Sequence, residues 1–377
     1  MIIGIISRSN LDDKIFWSGT ANTIYSNLKS KNNIKTVKID NLNNLLRKVY
    51  AIRREYLKFI KNIKYDEAYN ETISKNFSRQ IENRLKDIEV DYLLTFDISL
   101  ISHLKTKIPI LLWTDTLYTD YYEHYFKEKN ISKETNKNIK ILEKKTIKKC
   151  YKVFLSSIWA INKAKKKYKK FSEKFHHLNL GPNFNVKITD KTISRKLKIR
   201  PKCRINLITL SVKWKRKGLD KVLKLNETIN RKGIKSYLTV IGLKNKKFND
   251  KRVKFVGFIN KNDPSGEKII SNHLLKNHFH ILFSESEAYG LALIEANSRA
   301  VPNITFNVGG ISHIIKDNLN GKAFNQNEDI NNIANYIIET FKNKKKYEKL
   351  ALSSRREYLL KYDYDKIISK FIYLIKK

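Results

Sequence analysis

Short apolar runs rich in β-branched residues alternate with longer amphipathic segments throughout the chain. In the first half the runs are IIGIIS (2–7), IKTVKI (34–39), VDYLLTF (90–96), IPILLW (108–113) and YKVFLSS (151–157). Apolar runs of this length are typical of strands that are buried on both faces. Because helical patterns separate them, they predict a parallel sheet with helices on both sides.

A second series of the same kind follows a break in the pattern. Gly181, Pro182 and Pro201 lie in a stretch without a clear period, which we interpret as a linker. Beyond it come INLITL (205–210), SYLTVIGL (236–243), VKFVGF (253–258), FHILFS (279–284) and PNITFNV (302–308). The 377 residues therefore predict an α/β protein with two doubly wound domains, 1–185 and 200–357.

The charge and the cysteine content indicate which partners and which cellular compartment to expect. The 77 Lys and Arg against 36 Asp and Glu give a net charge of +41, which attracts nucleic acid, an anionic membrane face or acidic glycans and nucleotides. Cys150 and Cys203 form no C-x-x-C motif, which favours a reducing compartment. No apolar run approaches the roughly 20 residues of a membrane span. We expect a cytoplasmic location, with peripheral contact to the inner membrane face suggested by the charge alone.

Three candidate sites follow predicted strands, where open α/β sheets bind ligands. The first contains Ser18 and Gly19, before a helical pattern. An ordinary N-cap at Ser18 or Thr20 is the competing interpretation. The second is the basic turn SVKWKRKGLDKVL (211–223), in which Lys213, Arg216 and Lys217 would suit a diphosphate. Solvated surface lysines are the alternative there.

The third site pairs Glu287, after the strand FHILFS, with Glu295 inside an apolar helix that Gly290 opens. A buried carboxylate needs hydrogen-bond donors, which ribose hydroxyls or a neighbouring lysine could supply. A salt bridge would explain one glutamate alone. It would not explain two glutamates together with the glycine.

These residues carry a family resemblance. The spacing of Glu287 and Glu295 is the E-x7-E motif of retaining glycosyltransferases, and residues 284–315 resemble glycosyltransferase family 4. The segments FWSGTANTIYSNL (16–28) and SVKWKRKGLDKVL (211–223) resemble that family's glycine loop and basic diphosphate loop. The resemblance implies a GT-B fold, with two Rossmann-like domains facing a central cleft and a last helix, about 358–377, that packs back on the first domain.

The resemblance also implies roles for individual residues. Glu287, Arg216 and Lys217 would act in catalysis, and Glu295 would hold the ribose diol. The donor-binding positions would be Ser18, Gly19, Lys213, Val256, Phe258, Glu287, Ala288, Tyr289, Gly290, Leu291 and Glu295, with the base near Val256 and Phe258. Asp115 and Asn183 are acceptor-side candidates. Asp97 and Asp115 are the candidates for the catalytic position of the first domain.

The chain departs from the family pattern at several places. Val212 occupies the position where the basic loop usually carries an arginine, so Lys213 or Arg216 would take that role. His313 stands where a glutamate often follows the G-G pair, and Arg299 and Ala300 replace a common small-residue and glycine step.

The resulting hypothesis is retaining transfer of a sugar from a nucleoside diphosphate sugar to a hydroxyl of a glycan or glycolipid, in cell-surface polysaccharide or lipopolysaccharide synthesis. No metal or other cofactor is expected. Asp363 and Asp365 form a D-x-D string that we interpret as a helix cap, and His278 and His280 as core residues. The alternatives are another GT-B enzyme, such as a nucleotide-sugar epimerase, or a non-catalytic homologue that binds polyanions; no nucleic-acid module is evident.

Overall fold

The computed structural model describes residues 1–43, 45–126, 130–244 and 248–377. The chain divides into two compact units. The first unit comprises Met1–Asn179 and Ile368–Lys377, and the second unit comprises Leu180–Ile367.

The first unit is a parallel sheet covered by helices. Its strands among the described residues are β1 (Ile2–Ile6), β2 (Lys35–Ile39), β3 (Tyr92–Thr95), β4 (Ile110–Thr114), β5 (Lys152–Leu155) and β6 (Phe175–His177). They are arranged in the order β2-β1-β3-β4-β5-β6, with every pair parallel. The strand order therefore reverses between β1 and β3, whose carboxyl ends border the usual ligand crevice of such a sheet.

Helices connect the strands of the first unit. They are α1 (Thr20–Lys29), α2 (Leu46–Lys61), α3 (Glu71–Arg84), α4 (Ile98–Ile101), α5 (Tyr118–Tyr125), α6 (Lys133–Lys149) and α7 (Ile158–Lys167). Local signals begin several of them: the Asn70 side chain accepts from the amides of the first turn of α3, and Ser132 does the same for α6. The strand residues Leu93, Leu112 and Val153 lie in the hydrophobic core beneath these helices.

The second unit repeats this architecture. Its strands in the described part of the chain are β7 (Ile205–Leu210), β8 (Ser236–Ile241), β9 (Val253–Gly257), β10 (Phe279–Leu282), β11 (Asn303–Phe306) and β12 (Gly321–Phe324). Their order is β12-β11-β10-β7-β8-β9, again parallel throughout. Here the order reverses between β7 and β10. The two sheets confirm the α/β prediction.

The remaining helices belong largely to the second unit. They are α8 (Asp190–Lys198), α9 (Leu219–Arg231), α10 (Gly266–Lys276), α11 (Leu291–Asn297), α12 (Ile311–Ile314), α13 (Ile330–Lys342), α14 (Lys344–Lys361) and α15 (Tyr364–Lys376). Helix α15 begins in the second unit, and from Ile368 onward its residues belong to the first, where Phe371 stacks on Trp113 at 5.2 Å between ring centroids.

The stretch interpreted as a linker is in fact folded. Thr189 caps α8, and Ile193 packs with Leu275 and Ala300 in a small hydrophobic cluster. The buried Arg200 guanidinium donates to the carbonyl oxygens of Leu275 and Ala300 at 3.2 and 3.0 Å. The sequence showed no period here because a single buried isoleucine anchors the helix.

Among the described residues, no helix combines the length and the apolar character that crossing a bilayer requires.

Candidate functional site

The basic turn after β7 and the loop after β10 meet at the point where the second sheet reverses its strand order. Gly218 ends the turn in a left-handed conformation, with φ of +64°, and caps α9. A Cβ atom on Gly218 would lie 2.1 Å from the carbonyl oxygen of Phe283, which follows β10. Only glycine lets the two loops approach so closely. The amide of Glu285 also donates to the carbonyl oxygen of Arg216 at 2.9 Å.

This approach places the Glu287 carboxylate against two cations of the turn, Lys217 and Arg216. Its Oε2 atom forms an ion pair with Lys217 Nζ, lies 3.6 Å from Arg216, and accepts from the Ser284 hydroxyl at 3.2 Å. Arg216 in turn donates to the carbonyl oxygen of Ser286 at 3.2 Å. The predicted catalytic residues Glu287, Arg216 and Lys217 therefore form one cluster.

Burial and charge oppose each other in this cluster. Burial alone would raise the pKa of Glu287, but the positive charges of Lys217 and Arg216 outweigh it and hold the pKa below the ordinary value. Burial lowers the pKa of Lys217; Glu287 acts against that effect, while Arg216 adds to it. The Lys217 ammonium and the Ser284 hydroxyl both donate hydrogen bonds to this carboxylate, which fixes its orientation.

The second glutamate has a lysine partner that the sequence did not identify. Glu295 Oε1 accepts from Lys261 Nζ at 2.9 Å, and both side chains are largely buried. The same ammonium group donates to the carbonyl oxygen of Asn183 at 3.3 Å and lies 5.0 Å from the ring centroid of Phe184. Lys261 lies in the loop after β9, so its place at a strand's carboxyl end was the only available signal. Glu295 also acts electrostatically on Lys217, which links the two glutamates.

Gly290 caps α11 with φ of +106°, and a Cβ there would lie 2.9 Å from Leu293 Cδ1. Its neighbours Ala288, Tyr289 and Leu291 follow Glu287 in the same loop and first turn. The Tyr289 side chain turns into the second unit, where its hydroxyl donates to the Leu180 carbonyl oxygen at 2.9 Å. Only the Tyr289 backbone remains available for the role that the resemblance implied.

The other expected donor positions on the second unit differ in their exposure. Val256 lies in β9 and packs against the hydrophobic core, whereas Phe258 follows the strand and is exposed. Lys213 is exposed at the start of the basic turn. Trp214 holds that turn in place, because its ring stacks on Phe255 and its indole N–H donates to Asp220 at 2.8 Å.

The predicted glycine loop of the first unit adopts an unusual backbone. Trp17, Ser18 and Gly19 all have positive φ, of +47°, +58° and +91°. Left-handed backbone costs a residue that carries a side chain, so such strain tends to mark functional sites. Gly19 is the residue that caps α1, with no side-chain cap, so the capping interpretation of Ser18 is wrong. The turn sends the Trp17 ring against Phe96, at 5.5 Å between centroids.

Trp17 is one wall of a cavity of about 310 Å³ in the first unit. The cavity opens where β1, β3 and β4 end, and it contains two of the candidate aspartates, Asp97 and Asp115. Arg8, which the sequence interpretation overlooked, forms an ion pair with Asp97 at 2.8 Å. Asp115 accepts from the Thr116 amide at 3.0 Å. Half of the residues that line the cavity are aromatic: Phe16, Trp17, Tyr69, Phe96, Tyr118, Tyr121 and Tyr122.

Asn183 differs from Asp97 and Asp115 in the unit to which it belongs. It belongs to the second unit, is buried, and its carbonyl oxygen accepts from the lysine that holds Glu295. Its role on the acceptor side stays a prediction.

The potential metal ligands have structural partners. His278 Nδ1 accepts from the Asn206 amide at 2.9 Å and its Nε2 donates to the Pro201 carbonyl oxygen at 3.0 Å, while burial lowers its pKa to about 3. His280 pairs with Asn303 at 2.7 Å. Asp363 accepts from the Asp365 amide at 2.9 Å where α15 begins. Across the described ranges, no three His, Cys, Asp or Glu side chains converge as metal ligands would.

The region that carries this site has a recognisable family signature. Residues 189–357 match the glycosyl transferases group 1 family model. The match covers the basic turn, both glutamates and Lys261. No curated protein matches the chain in sequence.

Solved glycosyltransferase structures share the fold of the whole chain. Sucrose-phosphate synthase from Thermosynechococcus elongatus superposes with a TM-score of 0.73 at 13% identity, covering 100% of this chain and 98% of that one. HepE of Anabaena in complex with UDP superposes with a TM-score of 0.64 at 11% sequence identity, covering 100% of both chains. WaaG, a glycosyltransferase involved in lipopolysaccharide biosynthesis, superposes with a TM-score of 0.59 at 14% sequence identity, covering 95% of each chain. The fold is therefore that of the GT-B glycosyltransferases.

Proposed function

We propose that the chain is a retaining glycosyltransferase that moves a sugar from a nucleoside diphosphate sugar to a hydroxyl of a glycan or lipid-linked glycan. The observation that carries this proposal is the buried Glu287 carboxylate, which contacts Lys217, Arg216 and Ser284. It lies at the strand-order reversal of a domain that matches a glycosyltransferase family model.

The charges of the site suit a nucleoside diphosphate. Arg216, Lys217 and Lys261 bring three positive charges against the two of Glu287 and Glu295. A diphosphate beside the basic turn would be stabilised by Arg216, Lys217 and the amino end of α9, a helix of 13 residues. The surplus of cations thus supports an anionic donor.

The two glutamates would then bind sugars rather than attack them. Glu287, fixed from one side by cations, would accept hydrogen bonds from hydroxyls of the transferred sugar. Glu295, fixed by Lys261, would accept from the ribose diol, and the exposed Phe258 ring would offer a stacking surface to the base. Backbone groups from Ala288 to Leu291 would face the sugar and the diphosphate.

The proposed chemistry is direct transfer on one face of the sugar. The acceptor oxygen forms a bond to the anomeric carbon while the bond from that carbon to the β-phosphate oxygen breaks. The acceptor proton passes to the departing β-phosphate, so the products are the glycoside and a nucleoside diphosphate. Arg216 and Lys217 stabilise the negative charge that develops on the leaving group, and the protein otherwise positions the reactants.

The cavity of the first unit supplies the proposed acceptor site. Aromatic rings such as Trp17 and Tyr121 can pack against the C–H faces of a sugar, while Asp97 and Asp115 can accept from its hydroxyls. HepE has been solved with UDP, and WaaG is involved in lipopolysaccharide biosynthesis. These two neighbours support a UDP-type donor and a cell-surface glycan as the first substrates to try.

The test is a donor panel followed by the stereochemistry of the released sugar. UDP-, GDP- and ADP-sugars are incubated with wild type, Glu287→Gln and the control Glu227→Gln, whose exposed carboxylate pairs with Arg231. Proton NMR at early times identifies the anomer of any sugar transferred to glycerol or water. We expect one donor to be consumed with retention by wild type and by the control, and turnover at least about 100-fold lower in Glu287→Gln.

Two outcomes would contradict the proposal. An inverted anomer would exclude the retaining mechanism, and equal turnover in Glu287→Gln would remove the assigned site. Conversion of the donor into its epimer without any acceptor would identify the epimerase alternative instead.

A further inference from the structure

Helix α2 of the first unit turns an apolar face toward solvent. At the 100° rotation per residue of an α-helix, Val49, Ile52, Tyr56, Phe59 and Ile60 fall within an arc of about 100°. We call these five residues the outer stripe. Ile52 and Phe59 are 74% and 73% exposed, and no residue of α2 is buried. A helix that packed in the usual way would direct this face to the core.

Charged residues hold the opposite face of α2 to the first unit. Arg54 and Arg47 donate to Glu67 Oε1 at 2.7 and 3.3 Å, and Glu67 is only 3% exposed. On the flank, Arg53 pairs with Glu134 of α6 at 2.7 Å. These ion pairs set the rotation of the helix, so the exposure of the outer stripe is specified by the sequence rather than left over from poor packing.

We propose that α2 docks in the plane of an anionic membrane surface, with the outer stripe inserted among the lipids. Charged residues border the stripe. Lys48 lies on one flank together with Glu55, and Arg53 lies on the other flank, where it pairs with Glu134. Lys61 and Lys64 lie at the end of the helix. An apolar arc with basic borders matches the two components of interfacial binding, which are burial of apolar side chains and attraction to anionic headgroups. The net charge of +41 adds long-range attraction of the same sign.

The position of α2 connects this surface to the cavity of the first unit. Lys64 and Asp66, shortly after the helix ends, both line that cavity, as does Tyr69. Docking through α2 would hold the cavity beside the headgroups. Resting on the proposed function, this geometry points to a lipid-linked acceptor whose glycan enters the cavity from the membrane surface.

The experiment measures vesicle binding without donor or acceptor, so its failure is distinct from failure of the proposed transfer reaction. Full-length protein is floated with vesicles of phosphatidylcholine alone or of phosphatidylcholine with phosphatidylglycerol, at roughly physiological salt. Ile52→Ser/Phe59→Ser removes apolar area and leaves the charge unchanged. Its control is Ile199→Ser/Leu352→Ser, at exposed apolar positions of the second unit. Circular dichroism and thermal unfolding confirm that each variant is folded.

We expect wild type and the control to bind the anionic vesicles, and the stripe variant to bind on the order of tenfold more weakly. A fluorescent NBD probe tests insertion directly. Cys203→Ser removes the exposed native cysteine, and Cys150 is buried. In this background the probe is attached to a new cysteine at Ile52→Cys or, as a reference, at Lys165→Cys on α7. The emission should shift to the blue on vesicle addition at position 52 alone.

Three results would overturn the inference. Equal binding by wild type and the stripe variant would assign the attraction to general positive charge. Absence of wild-type binding would exclude the membrane as the partner of α2. A wild-type dimer by light scattering that Ile52→Ser/Phe59→Ser converts to a monomer, without vesicle binding, would identify a second copy of the chain as the occupant.

Discussion

The ion pair between Lys217 and Glu287 offers a quantitative test of the second-unit site. Lys217→Met leaves the buried Glu287 with Arg216 at 3.6 Å and the Ser284 hydroxyl, so the lost stability should be about 2 kcal/mol. Glu287→Gln leaves two neighbouring cations without their anion and should cost about 3 kcal/mol. The double variant removes both charges of the pair, and only the partly exposed Arg216 has lost an ionic neighbour. The destabilisation should therefore fall below the sum of the single changes by about 2 kcal/mol.

An exposed pair provides the matched control. Glu227 and Arg231 on α9 lie 2.8 Å apart in the same unit, but more than half of each side chain is exposed. The cycle Glu227→Gln, Arg231→Met and the double variant should give a coupling of no more than about 0.5 kcal/mol. Because both pairs are in close contact, the difference between the two coupling energies measures the effect of burial.

Fluorine NMR can report the second unit separately in the intact chain. The sequence has four tryptophans, of which only Trp214 lies between residues 180 and 367. With 5-fluorotryptophan incorporated, the Trp214 resonance follows urea unfolding of the second unit, and the other three follow the first. If the Lys217 and Glu287 coupling is as small as the control coupling, the two residues are not a buried pair and the site is incorrectly described.

Three further predictions concern single residues of the second unit. Gly218→Ala should lower the free energy of unfolding in urea by at least about 2 kcal/mol more than Gly233→Ala does. Both glycines have positive φ, but of the two only Gly218 would bring a Cβ against a backbone atom, 2.1 Å from the carbonyl oxygen of Phe283. The pKa of His278 is lowered to about 3, so unfolding takes up a proton below about pH 6.5. The free energy of unfolding should therefore fall by about 1.4 kcal/mol per pH unit as the pH drops from 6.5 toward 3. His278→Phe should reduce this slope. Tyr289→Phe loses the hydrogen bonds of a buried hydroxyl and should cost about 1–2 kcal/mol in thermal unfolding, without weakening nucleotide binding by calorimetry, because only its backbone is assigned to the donor.

The sheets were predictable from sequence, because strands buried on both faces must be apolar throughout. Leu93, Leu112 and Ile208, in three of the predicted runs, are all fully buried. The cluster at Glu287 was predictable in part, since parallel strands bring their carboxyl ends to one edge. The contacts themselves were not predictable: the sequence does not indicate that Gly218 packs on Phe283, which is what brings the two loops together.

Other features depend on tertiary contacts that leave no local pattern. Lys261 is one of many lysines, and only its distance of 2.9 Å from Glu295 identifies it. No motif was identified in the segment of α2, and a helical period by itself does not say which face points inward. The orientation of α2 is set by the buried Glu67 carboxylate, which forms ion pairs with Arg54 and Arg47.

The most direct test of the central claim is the affinity of the protein for nucleoside diphosphates by isothermal titration calorimetry. UDP, GDP and ADP are titrated into wild type, Lys217→Met, Glu295→Gln and the control Glu227→Gln. The proposed site predicts that one nucleotide binds wild type and control equally, and that Lys217→Met and Glu295→Gln each weaken it by about tenfold or more. Equal affinities in all four proteins, or no binding of any nucleotide to folded wild type, would contradict a donor site built on Glu287 and Glu295.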